Sequence, residues 1–385
     1  MPQVIRHAPN EKNNTPWARF VLSRLHQADI RPHGKRPWDW QVHDTRLYRH
    51  IVMRGNLGLG EGYMNGWFDC QRLDESLTRI LRADLDQITG MPALLLNLRA
   101  RFFNLQTRRR AWQVGRKHYD IGNTLYQTML DSRMIYSCGY WKNANTLEEA
   151  QIAKLALVGD KLGLQPGMRV LDIGCGWGGS AAFMAERYGV QVDGVTISRQ
   201  QYEWACEHHQ KTDVRFQLMD YRELTGHYDA IYSIGMFEHV GHKNYRHYFR
   251  KVKQLLAPGG AFLLHTIGKS ASQLAADPWI NRYIFPNGLI PTQVALVNGL
   301  KHDFRIEDWH NFGPDYDRTL LAWHDNVEKA RWSLPQKYDR RFFRMWRYYL
   351  LSCAAAFRAR KLELWQVLMT RSDTCPKLPA GARTA

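Results

Sequence analysis

The sequence has no run approaching about 18 consecutive apolar residues, so no segment is expected to span a bilayer. Its first residues, "MPQVIRHAPNEKNN", contain no apolar core of the kind a secretion signal needs, which predicts no signal peptide. Six cysteines (Cys70, Cys138, Cys175, Cys206, Cys353 and Cys375) form no Cys-x-x-Cys pair and no zinc-like spacing. In a chain of 385 residues they read as reduced intracellular thiols. Internal repeats and low-complexity tracts are absent. Acidic residues are scarce: 36 face 53 lysines and arginines, a formal charge of +17, and none falls between Gly90 and Lys117. A field of that sign attracts anions such as nucleic acid, phospholipid head groups or acidic proteins. The expectation is a cytoplasmic protein able to lie on the inner face of the membrane.

The chain changes character along its length. Residues 1–110 read as a small, mostly helical unit. "PWARFVLSRLHQADI" and "ESLTRILRADL" carry apolar residues at helical spacing, whereas the glycines of "GNLGLGEGYMNGWF" point to a packed loop. "PALLLNLRARFFNLQTRRR" mixes apolar residues with Arg99, Arg101, Arg108, Arg109 and Arg110. Such a basic amphipathic stretch suits an anionic lipid surface; the alternative is a core helix followed by a solvated linker.

From Gly167 strands and helices alternate. "MRVLDIG", "VQVDGVTIS", "VRFQLMD", "YDAIYSIG" and "AFLLHTIG" read as strands, with helices between them, one of which stops at Pro258-Gly259-Gly260. This rhythm predicts an α/β, doubly wound sheet with its ligand at the carboxyl ends of the strands. Glu238 follows the fourth strand and His265 ends the fifth, so both are expected to face one cleft. "KSASQLAADPWINRYIFPNGLIP" is expected to cap that cleft. "FRIEDWHNF" and "LELWQVLMTR" read as two late strands.

The loop "VLDIGCGWGG" places Gly174, Gly176, Gly178 and Gly179 between a strand and a helix, where glycine lets a backbone approach a ligand closely. NAD-type loops also use such glycines. Asp172, two residues before the first of them, resembles instead the acidic residue of class I S-adenosylmethionine-dependent methyltransferases. That resemblance implies a Rossmann-like fold. Asp193 lies inside its strand, so Thr196 and Gln201 are expected to stand in for the usual ribose-binding acid. Asp220, Tyr221 and Arg222 follow the third strand, where such enzymes hold adenine. After the fourth strand there is neither the Asn/Asp-Pro-Pro-Tyr/Phe loop of base N-methylation nor the Pro-Cys pair of cytosine C5 chemistry. An RNA substrate is then supported by charge alone, and no nucleic-acid partner is expected.

Several further stretches occur in one order: "YDIGNTLYQTMLDSRMIYSCGYW", "GVTIS", "SIGMFEHVG", "LLHTIG", "WINRYIFPNG", "DWHNFGPDYDRTL" and "CAAAFRA". With the glycine loop they resemble the bacterial cyclopropane-fatty-acyl-phospholipid synthases and, more distantly, the mycolic acid cyclopropane synthases. Gly55 to Glu61 resembles the N-terminal domain of the phospholipid branch. The resemblance implies a lipid-docking and dimerisation domain over 1–110 and a catalytic domain over 111–385, with 111–140 entering the active site. It implies methylene transfer from S-adenosylmethionine to a cis double bond of an acyl chain, through a carbocation deprotonated by bound bicarbonate. Glu238, His265, Cys138, Tyr316 and the Ile267 backbone would hold that ion. Tyr136 and Ser137 would join the glycines at the cofactor, and Cys353 would line the acyl or methionine pocket. Tyr136, Phe237 and Tyr316 are expected to face the cation, and His239 to pack without chemistry. The implied partners are anionic membrane phospholipids and a second copy of the chain. Alternatives are a lipid methyltransferase that leaves a methyl branch or an alcohol, and a non-catalytic lipid-binding protein.

Overall fold

The structure, a computed structural model, describes residues 15–85, 122–270 and 277–375. The basic stretch from Gly90 to Lys117 lies outside the described residues. The chain opens with helix α1 (Pro16–Gln27), whose first turn is capped by the Thr15 side chain. A two-stranded ribbon, β1 (Gln41–Val42) with β2 (Phe68–Asp69), encloses α2 (Arg46–Arg54) and α3 (Asn56–Met64), and α4 (Leu73–Arg82) follows.

Helix α3 is where the glycine pattern misleads. Gly58, Gly60 and Gly62 sit inside a helix, not a loop. Glycine costs a helix about 1 kcal/mol per residue relative to alanine, yet here it permits contacts that a β-carbon would block. A β-carbon on Gly58 would collide with the His50 carbonyl oxygen, and one on Gly60 with the Trp279 ring.

After α5 (Asn123–Met129) comes α6 (Leu147–Leu162), started by a capping box between Thr146 and Glu149 and stopped by left-handed Gly163. The sheet then builds in alternation with helices: β3 (Arg169–Ile173), α7 (Gly179–Tyr188), β4 (Gln191–Thr196), α8 (Arg199–His208), β5 (Val214–Leu218), β6 (Tyr228–Ile234), α9 (Tyr245–Leu255) and β7 (Leu256–Gly268). The Pro258-Gly259-Gly260 stop falls in an irregularity inside β7, opposite Tyr228 and Ala230. Next come α10 (Pro278–Tyr283), α11 (Gln293–Leu300), β8 (Phe304–Asn311), α12 (Gly313–Ala330), α13 (Arg340–Arg358) and β9 (Glu363–Arg371).

The seven strands lie in the order β5-β4-β3-β6-β7-β9-β8. β3 to β7 are parallel, while β9 enters antiparallel between β7 and β8. The chain turns back between β3 and β6, the switch point at which such sheets bind ligands. Apolar clusters cover both sheet faces, and a third joins α1–α4 to α5, α12 and α13. At that junction Arg358 pairs with Asp74 at 2.7 Å and Asp317 at 2.8 Å, and Arg344 pairs with Asp69 at 2.6 Å.

Gly58→Ala is expected to lower unfolding free energy by about 1–3 kcal/mol, because overpacking against a backbone carbonyl outweighs the better helix propensity of alanine. Urea denaturation checks this, and a stabilised variant would contradict it.

Candidate active site

A cleft of about 1510 Å³, counting its open mouth, lies at the switch point. The glycine loop forms its floor. Gly174 and Gly176 both take positive φ, 89° and 56°, and both line the cleft. A β-carbon on Gly174 would press on Met236, whereas the corresponding direction at Gly176 is open. Tyr136, Ser137, Thr196, Gln201, Asp220, Tyr221 and Arg222, all expected at the cofactor, line the same cleft. Thr196 Oγ1 donates to Gln201 Oε1 at 3.1 Å and accepts the Ser198 N–H at 3.1 Å, fixing both expected ribose-side residues. Asp193 is turned away; it accepts the Tyr228 hydroxyl at 2.8 Å.

Two expected cofactor residues stand behind the lining. Gly178 (φ 88°) caps α7, where a β-carbon would strike Phe216. Asp172 is buried and accepts the Ser180 hydroxyl at 2.6 Å, so it orients the start of α7 without facing the cleft. Burial pushes its carboxyl up to about 6.

The second group of residues gathers where β6 and β7 end. Ile234 and His265 are paired across these strands, and the Gly235 N–H donates to the His265 carbonyl at 2.9 Å. A 3-10 turn, Phe237–His239, then carries Glu238. The Ile267 N–H donates to Glu238 Oε1 at 2.7 Å. This corrects one expectation: that N–H is spent on Glu238 and is not open to an external ion. Glu238 Oε2 is buried with no hydrogen-bond partner. Burial raises the Glu238 carboxyl, partly offset by the Ile267 N–H.

His265 is 1% exposed and faces Gln366 on β9, whose Nε2 lies 3.4 Å from Nδ1. With the Gln366 amide donating to Nδ1, the ring proton sits on Nε2; with the amide reversed, it sits on Nδ1. Nε2 too is buried without a partner. Burial holds His265 well below the usual histidine range, so the ring is neutral. Tyr316 feels Cys138, Glu238 and Cys353 electrostatically, which brings four expected residues into one neighbourhood. Burial raises both thiols, Cys353 to about 12. Neither is a thiolate, and only a thiolate is a competent nucleophile. The Cys138 thiol donates to the Gly139 carbonyl at 3.1 Å.

Three readings change. Phe237 is fully buried and stacks on Tyr245 at 4.3 Å, so it belongs to the sheet core and faces no cation. His239, expected only to pack, lines the cofactor cleft, where burial lowers it to about 4. Lys154, not singled out in the sequence, is fully buried and lines it too. Of the capping insertion, Pro286 and Asn287 reach the cleft, and the Leu289 N–H donates to the Glu238 carbonyl at 2.8 Å.

Strand order and a glycine-floored cleft at the switch point define an S-adenosylmethionine-dependent class I methyltransferase fold. The comparisons agree. The mycolic acid cyclopropane synthetase family model matches residues 106–367, and the chain belongs to that family. The cyclopropane-fatty-acyl-phospholipid synthase of Escherichia coli K12 is 50% identical over 357 residues, covering 92% of this chain and 94% of that protein. Among solved structures, the cyclopropane synthase MmaA2 from Mycobacterium tuberculosis superposes with a TM-score of 0.64 at 32% identity, over 67% of this chain and 97% of that one. The mycolic acid cyclopropane synthase CmaA1, solved with SAH and CTAB, gives 0.61 at 29% identity, over 68% and 98%. The chain is an enzyme, a methyltransferase of this family.

The raised Asp172 carboxyl has a consequence for stability. The folded protein keeps this proton up to about pH 6, while an unfolded chain releases it near 3.8. Folded protein binds more protons in that window, so this residue's contribution falls as pH rises through it. Asp172→Asn is expected to flatten the slope and raise stability at pH 7 by up to about 3 kcal/mol. Urea unfolding at pH 4 and pH 7 measures it; an unchanged slope contradicts the assignment.

Proposed function

We propose that this chain transfers a methylene unit to the cis double bond of unsaturated acyl chains in membrane phospholipids, forming cyclopropane fatty acids. The observation that carries the reading is the pair of buried, unpartnered atoms at the ends of β6 and β7: the carboxyl oxygen Glu238 Oε2 and the ring nitrogen His265 Nε2. Whatever the product, the carbocation left by methyl transfer must be resolved, and a proton acceptor beside the transferred carbon directs it to ring closure. Ring closure requires one proton to leave that carbon.

When bound, S-adenosylmethionine supplies an electrophilic methyl carbon and bicarbonate supplies a proton acceptor. With the ring proton on Nε2, His265 would donate to the ion, and Glu238 would accept the ion's own hydrogen at Oε2. Unpaired buried polar groups are costly, so a ligand carrying both a donor and an acceptor fits this pair. Tyr316 and Cys138, both neutral, would complete the pocket without adding charge. The Ile267 N–H acts one step back, holding Glu238 in place.

The chain's remaining task is to keep a carbocation dry and unattacked. Both site thiols stay protonated, which makes them weaker nucleophiles toward it than thiolates would be. The rings of Tyr136 and Tyr316 offer π faces, each contributing roughly 0.5–2 kcal/mol to a nearby cation. Tyr136 is fixed by a 2.8 Å hydrogen bond to the Tyr349 hydroxyl. Cys353, on α13, would border the acyl chain or the methionine.

Residues 1–110, with the basic stretch 90–117, would dock the enzyme on anionic lipid at the cytoplasmic face of the membrane and take part in a homodimer. Among the described residues no helix is long and apolar enough to cross a membrane.

The decisive test is product analysis with methyl-labelled S-adenosylmethionine and vesicles of cis-monounsaturated phosphatidylglycerol. Acyl chains should gain one CH₂ and show high-field ring protons; a methyl branch or an alcohol would refute ring closure. Glu238→Gln is expected to slow product formation by about 100-fold or more, within the range for losing a general-base arrangement. Its affinity for S-adenosylhomocysteine should be unchanged. Wild-type activity in CO₂-depleted buffer should fall and recover on adding bicarbonate. Binding to anionic vesicles should weaken as salt rises and be weak on neutral vesicles; salt-insensitive binding to neutral lipid would contradict the docking role.

A further inference from the structure

Lys154 is a fully buried cation in the wall of the cofactor cleft. It stands one helical turn after Gln151 on α6, and both side chains grip the same segment. Gln151 Nε2 donates to the Ser137 carbonyl at 2.8 Å, and Lys154 Nζ donates to Ser137 Oγ at 3.0 Å. A lysine ammonium has three donors. The Ser137 bond uses one, and among the described residues no carboxylate comes within ion-pair distance.

The two carboxylates that Lys154 feels through space are committed elsewhere. Asp131 accepts the backbone N–H groups of Arg133 at 3.1 Å and Ile135 at 2.9 Å. Asp172 accepts Ser180 at 2.6 Å. Lys154 therefore keeps donors unspent in a wall shielded from solvent, an arrangement that is costly unless an anion completes it.

Position decides which anion. Lys154 interacts with Asp172 on β3 and with His265 on β7. Asp220 and Arg222 follow β5, the strand at the far edge of the sheet. If adenine lies by Asp220, the cofactor's amino-acid end reaches the Lys154 side. Glu238, His265, Cys138 and Tyr316 do not line this cleft, whereas Lys154 does, which favours the cofactor's own carboxylate over a separate ion. We infer that Lys154 binds the α-carboxylate of the cofactor's methionine moiety, with Ser137 Oγ holding the ammonium on target. This rests on the cleft being the S-adenosylmethionine site.

Calorimetric titration of the full chain tests it with two ligands. S-adenosylhomocysteine and 5′-methylthioadenosine share the adenosine and the thioether, but only the first carries the carboxylate. Lys154→Met is expected to weaken S-adenosylhomocysteine by about 10- to 100-fold, the range for a hydrogen bond to a charged group, and to leave 5′-methylthioadenosine within about threefold. Ser137→Ala keeps the ammonium and should weaken S-adenosylhomocysteine less. A parallel loss of both ligands in Lys154→Met would mean a structural role and overturn the inference. So would unchanged binding of both, or a loss in Ser137→Ala equal to that in Lys154→Met. Wild-type protein that binds neither ligand would instead overturn the cofactor reading beneath it.

Discussion

Three backbone N–H groups fasten the turn after β6 to its surroundings. Gly235 donates to His265, Ile267 donates to the Glu238 side chain, and Leu289 donates to the Glu238 carbonyl. The first two tie the turn to β7, and the third ties it to the capping insertion. Glu238 is thereby held at both its backbone and its carboxylate, with one oxygen left over. A long acidic side chain has several rotatable bonds, and fixing one oxygen removes most of that freedom before any ligand arrives. The geometry proposed for ring closure depends on this fastening more than on any single charge.

Burial then sets the protonation of what surrounds that oxygen. It raises Glu238, Asp172, Tyr316, Cys138 and Cys353, and it lowers His265 and His239. In each case the charged form is disfavoured, which is the signature of desolvation and not of specific ion pairing. The consequence suits a cationic intermediate: histidines that remain neutral, and thiols and phenols that keep their protons. Lys154 is also lowered by burial, to about 8, but the field of Asp131 opposes the shift and leaves it largely protonated at neutral pH.

The parts of the fold that could be read from sequence are those in which local pattern and tertiary setting agree. β3, β6 and β7 are rich in apolar residues because both their faces are covered, and each of the five predicted parallel strands appears in the sheet. The antiparallel entry of β9 left no local trace, since register and direction depend on partners distant in sequence. α3 is hidden for a related reason: glycine disfavours a helix, and only packing explains why it stands there, against the His50 carbonyl at Gly58 and against Trp279, more than 200 residues away, at Gly60. Phe237 and His239 flank Glu238, yet one is core and the other lines the cleft. A 3-10 turn rotates adjacent side chains to different sides, and no hydrophobic period reveals which. Lys154 offered no signal at all, because on a helix with other charged residues its lack of exposure is a property of the packed structure.

The N-terminal helices connect to this chemistry through one buried carboxylate. Glu61, on α3, is 6% exposed and accepts His50 Nε2 at 2.9 Å, Arg54, and the Tyr283 hydroxyl at 2.9 Å. Asn56, at the start of α3, donates to Asp277, whose side chain also caps α10. α10 runs directly into Phe285, Pro286 and Asn287, and the Asn287 N–H is held by the Asn281 side chain at 2.8 Å. Contacts thus run without a break from the unit proposed to meet the membrane to the residues that line the cofactor cleft and to the loop bonded to Glu238. Glycines at 58 and 60 are what let α3 come close enough to make them. An N-terminal unit that served only as a tether would need a flexible joint. This one shares a hydrophobic core and a polar seam with α5, α12 and α13, so the proposed seating on a bilayer would also fix how the cleft meets the lipid.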